Sequence, residues 1–105
     1  MKLDEYMAAA DETIKDDSCR TPWYLGLGFG GEAGEVLNEI KKKYRDATDD
    51  KVFREKLKLE MGDVLWYWVQ LCRTFKFNPE EIMQLNIDKL TKRMKDEASG
   101  KKRKD

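Results

Sequence analysis

The stretch EMGDVLWYWVQLC, which spans residues 60–72, decides the fold of this chain. From its valine onward, apolar side chains surround a helical wheel almost completely, and only Gln70 and the Tyr67 hydroxyl interrupt them. A helix that is apolar on nearly all sides must be covered by neighbouring elements. The stretch therefore predicts a central helix, which the flanking pattern extends to residues 51–76.

The same helical period continues through most of the chain. Apolar residues recur at spacings of three and four within residues 3–16 and residues 24–44. Asn78 followed by Pro79 is a helix start signal, and it predicts a last helix over residues 79–97. No stretch alternates as a strand would, so the sequence predicts an all-α fold, a four-helix bundle with short connections.

Length and composition exclude several classes of protein. A chain of 105 residues fits one domain, which we place at residues 1–98, and we expect the basic tail, residues 99–105, to be disordered. The 21 Lys and Arg residues balance the 21 Asp and Glu residues, so bulk charge makes nucleic acid an unexpected partner. Histidine is absent, which excludes histidine-based catalysis and histidine metal ligands.

Cysteine usage and hydropathy predict a cytoplasmic location. Cys19 and Cys72 do not make a disulfide framework, and we expect both to be reduced thiols. No apolar run approaches the roughly 18–20 residues of a membrane span, and the polar N-terminus does not resemble a leader peptide. We therefore expect no membrane contact. Since so small a domain has a limited core, we also expect self-association.

Acidic side chains border the apolar faces of the second and third predicted helices. They are Glu32, Glu35 and Glu39 on the second helix and Glu60 and Asp63 on the third. An ionised carboxylate at a helix–helix seam is costly unless it is paired or binds a metal. Oxygen ligands without histidine or cysteine favour a hard ion, so the pattern predicts a bound Mg²⁺ or Mn²⁺. For Glu39, an ordinary surface ion pair with Lys43 is an equally good interpretation.

A glycine-rich segment, residues 26–31, spells G-x-G-x-x-G. That fingerprint carries meaning only between a strand and a helix, and no strand is predicted, so we expect no phosphate-binding loop. Each glycine lowers helix propensity by about 1 kcal/mol relative to alanine. Close approach of another chain segment or a ligand is the usual reason for such glycines.

The last predicted helix carries a polar stripe beside its apolar face. Asn86, Lys89 and Arg93 make up this stripe, and the two cations have the chemistry to bind phosphate oxygens. A solvated basic face near a helix C-terminus is the alternative. Among the large aromatic side chains that could stack on a base, we favour core or subunit contacts. In particular, we expect Trp66 to contact a second subunit.

Three motifs, in chain order, resemble those of the MazG-like all-α nucleotide pyrophosphohydrolases. They read LGFGGEAGEV at residues 27–36, EMGDVLWY at residues 60–67 and NIDKLTKR at residues 86–93. The first two contain the Glu-x-x-Glu and Glu-x-x-Asp signatures of that family. The resemblance covers roughly residues 3–95, and the chain departs from it in the glycines at 28 and 30 and in the basic tail.

The resemblance implies a Mg²⁺-dependent enzyme that cuts (deoxy)nucleoside triphosphates between the α and β phosphates, as in nucleotide-pool cleaning. Four acids would hold the metal, and Mn²⁺ is a possible substitute; they are Glu32, Glu35, Glu60 and Asp63. Glu35 or Glu39 would accept a proton from the attacking water. Tyr67, Asn86, Lys89 and Arg93 would bind the substrate. The family generally forms dimers or tetramers, so we expect a homo-oligomer.

Two other interpretations remain open at this point. The central helix is apolar on nearly all sides, which also suits a non-catalytic module that oligomerises or binds a partner protein. From Lys92 to Asp105 the basic residues outnumber the acidic ones by four, which suits a nucleic-acid-binding tail, although a solubilising end is the favoured interpretation.

Overall fold

The computed structural model describes residues 1–100, and that part of the chain is helical without any strand. The elements are α1 (Leu3–Asp11), a 3₁₀ turn (Asp17–Arg20), α2 (Pro22–Asp46), α3 (Asp50–Thr74) and α4 (Pro79–Ala98). The all-α class and the four predicted helices are confirmed. Within the described residues, none of these helices has both the length and the hydrophobicity to cross a membrane.

Side-chain caps fix the starts of the three long helices. The Thr21 hydroxyl accepts a hydrogen bond from the Tyr24 amide at 3.4 Å, so α2 begins at residue 22, two residues before its predicted start. The Asn78 side chain accepts from the Glu80 amide at 2.9 Å and starts α4 where the sequence predicts. Asp49 caps α3 in the same way.

The first helix is shorter than predicted. It ends at Asp11 rather than at residue 16. The Thr13 hydroxyl donates to the Ala10 carbonyl at 2.6 Å, an alternative to a continued helical ladder. Asp16 then accepts from the Ser18 amide at 2.9 Å and caps the 3₁₀ turn. The helix therefore ends at Asp11, although the apolar spacing of the following residues still predicts a helix.

The core lies between α2 and α3, which share the main interface of the molecule. Because only residues 47–49 connect them, the two helices run antiparallel. The fully buried apolar side chains are few among the described residues. They are Ala10, Leu25, Val69 and Cys72. Cys19 and Cys72 are both free thiols, as predicted.

Helix α4 packs only sparsely on the other helices. Its apolar side chains face solvent, and Ile87 and Met94 are 58% and 71% exposed. The radius of gyration is 17.3 Å, against about 13 Å for a compact chain of this length. One chain alone thus leaves an apolar helix face uncovered.

The predicted disordered tail lies outside the described residues from position 101 onward.

Candidate active site

Three carboxylates from α2 and α3 meet in the seam between these helices. Glu32 comes from α2, and Glu60 and Asp63 come from successive turns of α3. One carboxylate oxygen of each lies within 4.8 Å of the others. Glu32 and Glu60 are half-buried and Asp63 is exposed. The structure thus brings together three of the four predicted metal ligands.

The two remaining acids of α2 lie apart from this cluster. Glu35 is exposed one turn along from Glu32. Glu39 is only 9% exposed, and its carboxylate lies 3.5 Å from the Lys42 ammonium. The ion pair therefore forms with Lys42 and not with Lys43, whose ammonium donates instead to the Thr48 carbonyl at 2.8 Å.

The electrostatics of the cluster penalise its full ionisation. Burial raises the pKa of Glu32, and the charges of Asp63, Glu60 and Glu35 raise it further. A hydrogen bond with Glu60 also favours the protonated form of Glu32 and so raises its pKa. Closely spaced carboxylates cannot all ionise unless a cation compensates them. Burial and the crowding of negative charge therefore both favour the protonated form of Glu32.

The donor set fits a small hard cation. The oxygens of Glu32, Glu60 and Asp63 lie within 4.8 Å of one another, so one small cation could contact all three. Oxygen-only ligands suit Mg²⁺ or Mn²⁺ better than zinc or copper.

A cavity of about 320 Å³ opens beside the cluster. Its lining consists of Thr13, Glu32, Asp63, Trp66 and Tyr67. The Trp66 indole donates to the Thr13 hydroxyl at 2.7 Å. Trp66 also packs edge-on against Tyr67, with ring centroids 4.9 Å apart. Aromatic faces and polar groups thus meet next to the carboxylates.

Sequence reasoning missed two residues of this cavity. The Trp66 indole donates to Thr13 within this chain, and the predicted contact of Trp66 with a second subunit remains a prediction. Thr13 itself carries no local signal, because it lies in the irregular segment where a helix is predicted. The position of Trp66 one turn after Asp63 is a signal that could have placed it at the site.

Tyr67 stands at the centre of a small polar and aromatic group. Its ring centroid lies 6.5 Å from that of Tyr24. Hydrogen bonding with the Cys19 thiol and with Tyr67 raises the pKa of Tyr24 to about 12. The Tyr24 hydroxyl therefore stays protonated at neutral pH.

The predicted phosphate-binding residues of α4 lie outside the cavity lining. Asn86 and Lys89 are exposed, and Arg93 is half-buried. Since α4 packs sparsely on the other helices, the described chain does not bring these three residues to the carboxylates. Their phosphate role remains a prediction.

Comparison with known proteins identifies the domain. A family model of the MazG nucleotide pyrophosphohydrolase domain matches residues 21–97, which include the whole carboxylate cluster. The chain belongs to the MazG family. The Gene 37 protein of Mycobacterium phage L5 is 36% identical over 101 residues, covering 89% of each chain, and its name states no activity. No solved structure matches. The MazG match spans α2, α3 and nearly all of α4, so it confirms the family resemblance of the three motifs.

Proposed function

We propose that this MazG domain hydrolyses (deoxy)nucleoside triphosphates between the α and β phosphates, releasing a nucleoside monophosphate and pyrophosphate. The observation that carries the proposal is the cluster of Glu32, Glu60 and Asp63 oxygens within 4.8 Å, inside a domain of a pyrophosphohydrolase family. A triphosphate bears about four negative charges, so bare carboxylates would repel it. A cation between the two explains how an acidic seam accepts an anionic substrate.

Glu32, Glu60 and Asp63 would hold Mg²⁺, with Glu35 as the fourth ligand and Mn²⁺ as a substitute. When bound, the ion neutralises phosphate charge, polarises the phosphoryl oxygens and makes a bound water more acidic. The raised pKa of Glu32 supports this assignment, because the same crowding of charge that favours a proton there favours a cation.

Two acids of α2 remain candidates for the general base. Glu35 is exposed and near enough to Glu32 to influence its pKa, so the carboxylate oxygen of Glu35 that does not bind the metal could accept a proton from the attacking water. Glu39 is nearly buried and forms an ion pair with Lys42, so an attacking water reaches it less easily. We therefore favour Glu35 over Glu39.

The substrate would lie in the cavity beside the cluster. Tyr67 lines that cavity and would donate a hydrogen bond to the sugar or a phosphate. Lys89 and Arg93 would supply counter-charge to the phosphates, and the Asn86 amide would donate a hydrogen bond, once α4 lies against a cluster. Sparse packing of α4 in one chain suggests that this cluster belongs to a second copy.

The same observation supports our proposal of a homo-oligomer, either a dimer or a tetramer. The accessible surface of the chain is 8288 Å², against about 6,100 Å² for a compact monomer of its mass. The excess resembles the area that one subunit buries in a permanent dimer. A cytoplasmic role in cleaning the nucleotide pool would fit the free thiols and the absence of a spanning helix within residues 1–100.

The ligand assignment is tested by Glu60→Gln, with Glu55→Gln as the matched control on an exposed position of the same helix. We expect Glu60→Gln to lower Mg²⁺-dependent turnover by at least about 100-fold, since it removes charge that the metal needs. It should also abolish the rise in melting temperature on adding Mg²⁺, whereas the control keeps both. Unchanged turnover and metal response in Glu60→Gln would contradict the assignment and favour the non-catalytic helical module.

A further inference from the structure

One glycine of α2 differs from all the other helical glycines in its surroundings. At Gly28, three ring carbons of Tyr67 lie closer than 3.0 Å to the point where a Cβ atom would stand. At the other glycines of α2 and α3, that point has no atom within 4 Å; these are Gly26, Gly30, Gly31, Gly34 and Gly62. Among these glycines, only Gly28 has a neighbouring side chain in the space that its own Cβ atom would fill.

The Tyr67 ring occupies that room and is confined around it. Trp66 packs edge-on against the ring at a centroid distance of 4.9 Å, and Tyr24 lies at 6.5 Å. The cavity that Tyr67 lines together with Glu32 and Asp63 is the open side. A side chain at position 28 would therefore displace the Tyr67 ring, and because that ring forms part of the cavity wall, its displacement would change the shape of the cavity.

We propose that Gly28 is a positioning residue of the nucleotide site, which admits the Tyr67 ring into the seam between α2 and α3 and thereby keeps the cavity open. The inference rests on the proposed function, since the cavity is the one assigned to the substrate. Gly28 itself contacts no reacting atom. It acts through Tyr67, whose hydroxyl and ring face the nucleotide.

Helix propensity alone predicts the opposite behaviour for this position. Alanine in place of an interior helical glycine ordinarily stabilises the helix, since glycine loses more backbone entropy on folding. A loss of stability at Gly28 but not at a neighbouring glycine would therefore report the contact with Tyr67. Gly30 is the matched control, because it lies in the same helix with open space around it.

The experiment compares Gly28→Ala with Gly30→Ala, each in the natural sequence and together with Tyr67→Ala. Thermal unfolding in EDTA reports the contact without the need for activity. Steady-state kinetics on Mg²⁺–dNTP report the nucleotide site. Both sets of data come from the full chain in its natural oligomeric state.

We expect Gly30→Ala to raise the melting temperature by a few degrees, about the effect of one helix-propensity gain, with KM unchanged. Gly28→Ala should lower the melting temperature and raise KM about tenfold, while kcat changes less, since a displaced ring obstructs binding rather than chemistry. In the Tyr67→Ala background, Gly28→Ala should instead stabilise the chain as Gly30→Ala does, and it should add no further change in KM.

Three results would overturn the inference. Gly28→Ala could behave like Gly30→Ala, it could lower stability with KM unchanged, or it could lower stability equally without Tyr67. If Gly28→Ala alone does not fold, the added Tyr67→Ala should restore folding, and failure to restore it also overturns the inference.

Failure of the proposed function has a different signature. If the proposed function is wrong, the natural chain releases no pyrophosphate from any nucleotide, which is seen before any variant is compared. Calorimetric binding of an α,β-methylene nucleoside triphosphate then replaces KM in the same comparison. Equal affinity of the natural chain and Gly28→Ala for that analogue, or no binding to either, would overturn the role of Gly28.

Discussion

Glu32 carries much of the electrostatic cost of the carboxylate seam. Burial and the three neighbouring acids hold its pKa above the ordinary value of 4.5. A carboxyl group whose pKa is raised by folding makes the native state less stable as pH increases from the unfolded pKa through the folded pKa. The metal-free protein should therefore lose stability over that interval, and a cation bound to the cluster should restore it.

Glu32→Gln tests this cost directly. In EDTA at neutral pH we expect the variant to melt at a higher temperature than the natural chain, because it removes one of the crowded charges. The difference should vanish below pH 4.5, where Glu32 is protonated in both folded and unfolded chains. Addition of Mg²⁺ should reverse the order. Melting curves from pH 4 to 8 measure the difference in melting temperature between the variant and the natural chain. Glu12→Gln, at an exposed position, is the control. A difference that does not change with pH would contradict the raised pKa of Glu32.

Helical periodicity could place the acids of this site, but not the residues around them. The period of 3.6 puts Glu32, Glu60 and Asp63 at a seam, and the structure gathers these three. Thr13 could not be found this way, because its position depends on where α1 ends. The contact of Gly28 with Tyr67 likewise depends on the distance between two helices, which no single-helix pattern contains.

The Asp11 carboxylate links three elements of the fold, namely α1, the 3₁₀ turn and α3. Asp11 at the end of α1 pairs with Arg20 of the 3₁₀ turn, and its carboxylate lies 3.5 Å from the Arg73 guanidinium of α3. The hydrogen bond with Arg20 and the charge of Arg73 hold the pKa of Asp11 below its ordinary value of 3.8. These pairs fix the segment that carries Thr13 to the cavity wall.

Asp11→Asn should loosen that segment. Because folding lowers the pKa of Asp11, its contribution to stability is fully present above pH 3.8 and disappears as pH falls through the folded pKa. We expect the variant to melt at a lower temperature at pH 7 and to match the natural chain in strong acid. Hydrogen exchange of residues 11–20 should also speed up. Equal melting at pH 7, with Glu12→Gln as the control, would contradict the link.

Helix starts were easier to predict than helix ends. Asn78 followed by Pro79 starts α4 where the sequence predicts, and Thr21 followed by Pro22 starts α2 two residues before the start that the apolar period predicts. The end of α1 was missed because the apolar period continues to Ile14, whereas the Thr13 side chain bonds the backbone instead. Local hydrogen bonds of this kind compete with a helix at little cost, so periodicity does not reveal them.

In the whole molecule, the sparse packing of α4 is the basis for the proposed oligomer. Its apolar stripe consists of Met83, Ile87, Leu90 and Met94, each at least 39% exposed. The sequence predicts this stripe but not what covers it, since the same pattern would serve a partner within the chain or outside it.

Met94→Glu tests the oligomer, with Leu85→Glu as the control on the opposite side of α4. Both side chains are exposed, by 71% and 59%, so neither change disturbs the core of one chain. We expect Met94→Glu to shift the mass measured by light scattering toward 12.4 kDa, because a buried charge weakens the contact. Leu85→Glu should leave the mass unchanged. A monomeric natural chain, or equal effects of both variants, would contradict the proposed interface.

The central claim is that the carboxylate seam uses Mg²⁺ to cleave nucleoside triphosphates at the α–β bond. The most direct measurement is the product of a panel of NTPs and dNTPs incubated with the full chain and Mg²⁺, with EDTA as the control. We expect the full chain to release pyrophosphate and an equal amount of nucleoside monophosphate, and only when Mg²⁺ is present. Orthophosphate with a nucleoside diphosphate, or no product from any nucleotide by the folded protein, would contradict it.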